Sequence, residues 1–194
     1  MTPMTAIADS GPGQLIRWHY LGYCALAVVV MAVAIVSHDR WFLNFVHVIS
    51  GVLWTGIDLF MGFVMGPILR RVDLTVRREI ILRLVPKTLF LMPTLSIITG
   101  TTGWFLAVDT GLAAVDYPQY VWVIAALVLV VLMTIQGMGY LLPTNLRVCL
   151  ELQKDNPDGV RIARLTSHYF LAVAGQGVMQ ILIIVIMARF ATGI

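Results

Sequence analysis

The sequence predicts an all-α protein: a polytopic integral membrane helix bundle with five transmembrane helices in a single domain, 1–194. Composition is the first observation, since 59% of the 194 residues are hydrophobic and only 12% are charged, whereas soluble domains are roughly half apolar and a quarter charged. The second is a mean hydropathy of +0.90. The third is a series of long apolar runs, because a helix that crosses a bilayer needs about 20 mostly apolar residues. Together these observations exclude a soluble enzyme with one membrane tail.

The apolar runs give the predicted spans. In chain order they cover about residues 18–36, 42–66, 88–108, 120–142 and 166–188. We expect the fourth helix to continue past Pro143, and Asp155–Gly159 is a turn signal ahead of the fifth. Between the second and third spans, Leu74–Val85 mixes arginines with apolar residues. This segment predicts either a short helix on the anionic inner surface of the membrane or a solvated connection.

Basic residues orient the spans, because Lys and Arg close to span ends are retained in the cytoplasm. Eleven of the thirteen fall in alternating segments: Arg17, Arg70, Arg71, Arg77, Arg78, Arg83, Lys87, Arg147, Lys154, Arg161 and Arg164. The loop between the third and fourth spans contains Asp109 and Asp116 and no base. We therefore expect a cytoplasmic N-terminus, an extracytoplasmic C-terminus and a multi-pass protein of the bacterial inner membrane. The same placement explains the net charge of +3 without a nucleic-acid partner.

Few polar side chains lie inside the predicted spans, where a charge costs about 2.5 to 3.5 kcal/mol on insertion scales. Asp58 is the one acid there, and Ser96, Gln136 and Gln176 fall at a similar depth on three other helices. This layer predicts either hydrogen bonds between helices or a pathway for a proton, a cation or a small solute.

His47 is the candidate for cofactor binding. On a helix, His47, Gly51, Trp54 and Asp58 fall on one face. Imidazole is an axial ligand of haem iron, and helix bundles build cofactor sites from inward-facing side chains. His47 would then ligate the iron, Gly51 would leave room for the macrocycle and Trp54 would pack on the porphyrin. The alternative is that His47 only hydrogen-bonds across helices.

Other residues are weaker candidates. Met31 or His38 could be a second axial ligand, or the iron could be five-coordinate. His19 and His168 could be a second pair of ligands, for an inner haem, but a simple interfacial position explains both of them better. The remaining features are predicted to be structural: the GxxxG contact surface of Gly62–Gly66 and the single cysteines, Cys24 and Cys149.

The stretch His47–Gly56 contains His, then Trp seven positions on, then Gly. It resembles a signature of small polytopic bacterial membrane proteins. The group includes the copper-resistance D family, the haem-binding protoporphyrinogen oxidase family, the membrane domain of cytochrome-linked urate oxidases and uncharacterised integral-membrane families. The resemblance implies that His47 binds haem. It does not extend to the intramembrane lysine of the protoporphyrinogen oxidases, because the lysines here are Lys87 and Lys154 at or beyond the cytoplasmic boundary.

Three functions follow from these patterns. The leading hypothesis is a protein that binds haem b for electron transfer or redox sensing, with a quinone or a redox protein as its partner. The second is a transporter of a small cation or solute that uses Asp58 and the polar layer. The third is an accessory membrane subunit without chemistry of its own, which binds a partner through the GxxxG surface and the basic loop. A second copy of this chain is also a possible partner.

Overall fold

The computed structural model describes residues 19–154 and 156–192, with only the backbone at position 113. It is all-α and 90% helical. Within these residues, five helices are long and apolar enough to cross a membrane: α1 (His19–Val36), α2 (Arg40–Arg71), α3 (Leu74–Asp109), α4 (Tyr120–Leu152) and α5 (Gly159–Thr192). The predicted all-α class and the number of such helices are confirmed. Arg17 and Trp18, predicted to precede and begin the first span, lie outside the described residues.

The third helix begins much earlier than its predicted span. Residues 74–85 form its first turns, so the prediction of a separate surface helix or a solvated connection is wrong. Ile81 and Val85 are buried in a cluster with Val148 of α4 and Ile162 of α5. This packing holds the segment in the bundle, and the helix continues through Pro86 although proline removes one backbone donor.

The predicted extension of the fourth helix is confirmed, and the helix breaks where the turn before the fifth was predicted. Asp155 of that turn lies outside the described residues. Helical backbone continues past Pro143 to Leu152, and α5 begins at Gly159. The Asp158 carboxylate accepts hydrogen bonds from the backbone N–H of Val160 at 2.9 Å and of Arg161 at 3.0 Å. It therefore satisfies N–H groups that have no partner within the helix.

Two wide π-helical turns interrupt α2 and α4, at Phe60–Met65 and Gly137–Leu141. Each lies just before a proline, Pro67 or Pro143. A proline ring clashes with the carbonyl four residues earlier in a regular α-helix, and a π-turn changes the register of the hydrogen bonds before it. Neither turn was predicted from the sequence.

Helix α2 is central and packs against α1, α3 and α5. It approaches α5 closely at two glycines: a Cβ added at Gly62 would lie 2.5 Å from the Cα of Ala174, and one at Gly66 would lie 3.0 Å from the Cβ of Phe170. The predicted GxxxG surface is therefore a contact within the chain. Because α5 covers it, this surface is not free for the partner that the accessory-subunit hypothesis requires.

Polarity is arranged in the opposite sense to that of a soluble domain. Asp58, Gln176 and Gln180 are at most 3% exposed, whereas Val131 and Ile135 on the outer face of α4 are 55% and 64% exposed. The functional candidates consequently lie between helices, and the outer surface of the bundle is apolar.

Candidate functional site

The His47 side chain lies in the interface between α2 and α3. Its Nδ1 is 3.0 Å from the backbone oxygen of Thr99 and 3.2 Å from Oγ1 of Thr102. One turn along α2, Ser50 accepts a hydrogen bond from the Thr99 hydroxyl at 3.0 Å. We call these four residues the His47 cluster. It joins the two helices through side chains and one carbonyl.

The hydrogen bonds of this cluster define which ring nitrogen carries the proton. The Thr99 carbonyl can only accept, and the Thr102 hydroxyl already donates to the Ile98 carbonyl at 2.6 Å. Both neighbours therefore accept from Nδ1, so a neutral His47 is protonated at Nδ1. Its Nε2 then keeps a lone pair. Metal-binding histidines show the same arrangement, in which the non-ligating nitrogen donates to a carbonyl.

Gly103 provides the space for the His47 ring. A Cβ at Gly103 would lie 2.8 Å from Cε1 and 3.2 Å from Nδ1 of the imidazole, closer than such atoms approach. The ring therefore rests on bare helix backbone. This contact places the half-buried His47 ring directly against α3.

The other residues of the predicted haem site also line the interior of the bundle. Gly51 faces α3, where an added Cβ would be 3.4 Å from Cγ2 of Thr99. Trp54 is buried with Leu95 of α3 and Met133 of α4. Gly51 thus lies at a close helix crossing, and Trp54 fills the junction of three helices.

The other candidate ligands differ in their surroundings. Met31 packs on the cluster that joins α1, α2 and α3, and the exposed His38 adopts φ +52° in the turn before α2. His19 is exposed beside Tyr20 and Tyr23, and His168 is exposed on α5. Across the described parts of the chain, no three His, Cys, Asp or Glu side chains form a group able to hold a metal ion. Among these candidates, only His47 is anchored to a second helix by its ring nitrogen.

Asp58 forms a second buried cluster, between α2 and α5. Its Oδ2 accepts hydrogen bonds from Nε2 of Gln176 at 3.2 Å and Nε2 of Gln180 at 3.0 Å. We call Asp58, Gln176 and Gln180 the Asp58 cluster. In residues 19–154 and 156–192 no Lys, Arg or His nitrogen lies within 4 Å of this carboxylate.

Both glutamines of the Asp58 cluster are left with an unused acceptor. Oε1 of Gln176 and Oε1 of Gln180 are buried and make no hydrogen bond to any described residue. The Gln176 oxygen faces α4, because a Cβ at Gly137 would lie 3.8 Å from it. A buried polar atom without a partner costs about 1 to 3 kcal/mol, so two of them in one cluster require an explanation.

Only part of the predicted polar layer converges on Asp58. Gln176 does, whereas Gln136 donates to the Ala172 carbonyl of α5 at 2.6 Å and Ser96 donates to the Pro93 carbonyl of its own helix at 2.9 Å. Gln180 was not predicted. Gln180 lies four residues after Gln176, so both fall on one face of α5. This spacing is visible in the sequence and would have predicted that Gln180 joins the polar layer.

A third polar contact, nearer the basic end of the bundle, was also not predicted. Asn145 of α4 donates to the Thr88 hydroxyl of α3 at 3.2 Å, and both residues are buried. This bond joins α4 to α3 and is an interhelical hydrogen bond of the kind that stabilises membrane bundles.

No family model, curated protein or solved structure matches the chain. The resemblance at His47–Gly56 therefore depends on that motif alone, and function must be argued from the His47 and Asp58 clusters.

Proposed function

We propose that this chain is an integral membrane protein that binds haem b through His47 and serves electron transfer or redox sensing, with a quinone or a redox protein as its partner. The observation that carries the proposal is the His47 ring: Nδ1 bonds to the Thr99 carbonyl at 3.0 Å, which leaves the lone pair on Nε2. The motif His47–Gly56 supports the same assignment by resemblance.

The surrounding residues suit an axial ligand. The Thr99 carbonyl and the Thr102 hydroxyl hold the proton on Nδ1, which increases the electron donation of Nε2 to a metal. Gly103 keeps the ring against α3 and restricts its rotation. When bound, haem b supplies a one-electron couple between ferrous and ferric iron. The contribution of this chain is to orient the imidazole and to surround it with apolar helices.

A reduced-minus-oxidised visible spectrum of the purified protein tests this function. The wild type should show the sharp α-band of a b-type haem, and His47→Ala should lose it. His168→Ala is the matched control, because it removes an exposed histidine on another helix and should leave the band intact. Size-exclusion chromatography identifies variants that misfold. A wild type without the band, prepared with haem in excess, would disprove the proposal.

The Asp58 cluster supports a second candidate function, a pathway for protons or a small cation. A buried carboxylate without a basic partner is costly as an anion, so it must carry a proton or a bound cation when the bundle lies in a membrane. The unpaired oxygens of Gln176 and Gln180 are ligands of the type that hard cations prefer. After rotation of the amide groups, these oxygens could bind the same cation as the carboxylate.

Ion flux into proteoliposomes tests this second function, with radioactive sodium and a pH-sensitive dye as separate probes. Asp58→Asn should abolish the flux, because it removes the charge while keeping the size of the side chain. Asp109→Asn makes the same chemical change at an exposed acid and should retain the flux. If Asp58→Asn transports as well as the wild type, or if the wild type moves neither ion, the pathway is excluded.

Both functions require a membrane, and we propose that all five helices cross the bacterial inner membrane with the N-terminus in the cytoplasm. The outward apolar residues and the buried polar clusters support insertion. The concentration of basic residues at one end of the bundle supports the orientation.

A further inference from the structure

A cleft opens at the basic end of the bundle, where the first turns of α3 meet the start of α5. Its volume is about 250 Å³. Leu74, Arg77, Arg78 and Ile81 line it from α3, and Gly159 and Ile162 line it from α5. We call this feature the Arg77 cleft. It lies away from the His47 and Asp58 clusters, so neither candidate function accounts for it.

Among residues 19–154 and 156–192, the buried cation of Arg77 has no acidic partner. The residue is 8% exposed, and its Nη2 donates to the Ala163 carbonyl at 2.6 Å and to the Ser167 hydroxyl at 2.9 Å. Its Nε is buried and makes no hydrogen bond within residues 19–154 and 156–192. In the same ranges, the ion pairs involve Glu79 and Glu151 with other bases. A buried charge of this kind is costly unless an anion compensates it.

The surroundings of Arg77 increase the positive potential. Arg78 lines the cleft with an exposed side chain, and Arg70 at the end of α2 is close enough to repel the Arg77 charge. A guanidinium is well matched to phosphate oxygens, which accept several charge-assisted hydrogen bonds at once. Leu74, Ile81 and Ile162 give the same cleft apolar walls, which a free inorganic ion would not use.

We propose that the Arg77 cleft binds the phosphate group of an anionic phospholipid. The phosphate compensates Arg77 and Arg78, and the glycerol and acyl portions contact the apolar walls. Clusters of Lys and Arg next to membrane-spanning helices are suited to such lipids. The inference is independent of haem binding, since it uses none of the residues that hold the imidazole.

Lipid binding to the purified full chain in a neutral detergent tests the proposal. Phosphatidylglycerol, which is anionic, should bind and raise the melting temperature, whereas zwitterionic phosphatidylcholine should bind more weakly. Arg78→Gln should weaken phosphatidylglycerol binding about fivefold, which corresponds to about 1 kcal/mol for one basic residue. Arg77→Met should weaken it further, but this variant also loses the bonds to Ala163 and Ser167 that join α3 to α5. Arg78→Gln is therefore the decisive variant.

Arg83→Gln is the matched control, because it removes the same charge from the same helix outside the cleft. Arg83 is exposed and pairs with Glu79 at 3.1 Å, so its removal should leave phosphatidylglycerol binding within twofold of the wild type. If Arg78→Gln and Arg83→Gln weaken phosphatidylglycerol binding equally, the proposed site is wrong and the lipid is attracted by the general positive charge of this end of the bundle. Equal binding of the two lipids would overturn the requirement for an anion. Inorganic phosphate distinguishes the source: if it displaces phosphatidylglycerol at millimolar concentration, the ligand is a soluble phosphate and the lipid assignment is wrong.

Discussion

At the residue scale, the position of the His47 ring depends on the absence of one methyl group. The imidazole lies against the backbone of α3 at Gly103, where any side chain would collide with Cε1. Three residues earlier on α3, a Cβ at Gly100 would meet nothing within 4 Å. The two glycines therefore provide a matched pair of sites on one helix, and only one of them contacts the candidate ligand.

Gly103→Ala should displace the His47 ring and weaken its bond to the Thr99 carbonyl. Extra atoms in a packed interface cost about 1 to 3 kcal/mol, so we expect a lower melting temperature in detergent. If His47 holds haem, the same variant should also lose most of its haem or shift the α-band. Gly100→Ala should match the wild type in both measurements. Equal behaviour of the two variants would show that Gly103 does not position the ring.

The residues that the sequence could identify are those whose chemistry is rare in an apolar segment. His47 and Asp58 are distinctive because a titratable side chain inside a span is costly. The sequence places both residues on one face of α2, but it could not show that they belong to different clusters. In the structure His47 contacts α3, whereas Asp58 contacts α5. Ser96 was predicted to lie in one polar layer with Asp58. A serine on a helix can instead donate its hydroxyl hydrogen bond to a carbonyl of the preceding turn, as Ser96 does to Pro93.

At the element scale, hydropathy located the helices but not their ends. The predicted spans follow the apolar portions of the chain, whereas a helix continues as long as its backbone bonds and tertiary contacts allow. Arg77 illustrates the difference: its charge suggested a loop or a membrane surface, yet its guanidinium bonds to the Ala163 carbonyl of α5 and is buried. Such a partner is distant in sequence and cannot be inferred from local pattern.

The π-turns of α2 and α4 are a second feature that depends on hydrogen-bond geometry. Each adds a wider turn within two residues of a polar candidate, since Phe60–Met65 begins two residues after Asp58 and Gly137–Leu141 begins directly after Gln136. The prolines that accompany them were visible in the sequence. The packing around a proline decides its effect on the helix. A proline can kink the helix, can follow a π-turn, or can lie in a regular helix as Pro86 and Pro93 do.

At the scale of the whole molecule, the two basic residues outside the eleven that are predicted to be cytoplasmic both contact other parts of the protein. Arg40 donates to the Asp109 carbonyl at the end of α3 at 3.1 Å, where the helix dipole is negative. Arg189 lies over the Trp122 ring, 4.3 Å from its centroid, a favourable cation–π geometry. These contacts bring together the ends of helices that the proposed topology places on the outer side. Their positions are therefore compatible with the orientation that the other eleven bases predict.

The proposed orientation predicts opposite results for a reporter fused just after α4 and for the same reporter fused beyond α5. A reporter active only outside the cytoplasm should be active after Ile194 and silent after Gln153, because α5 would carry the chain from the cytoplasmic side to the outer side. A reporter active only in the cytoplasm should show the reverse pattern, and the Gln153 fusions serve as the internal control. Activity of the cytoplasmic reporter after Ile194 would contradict the five-span topology.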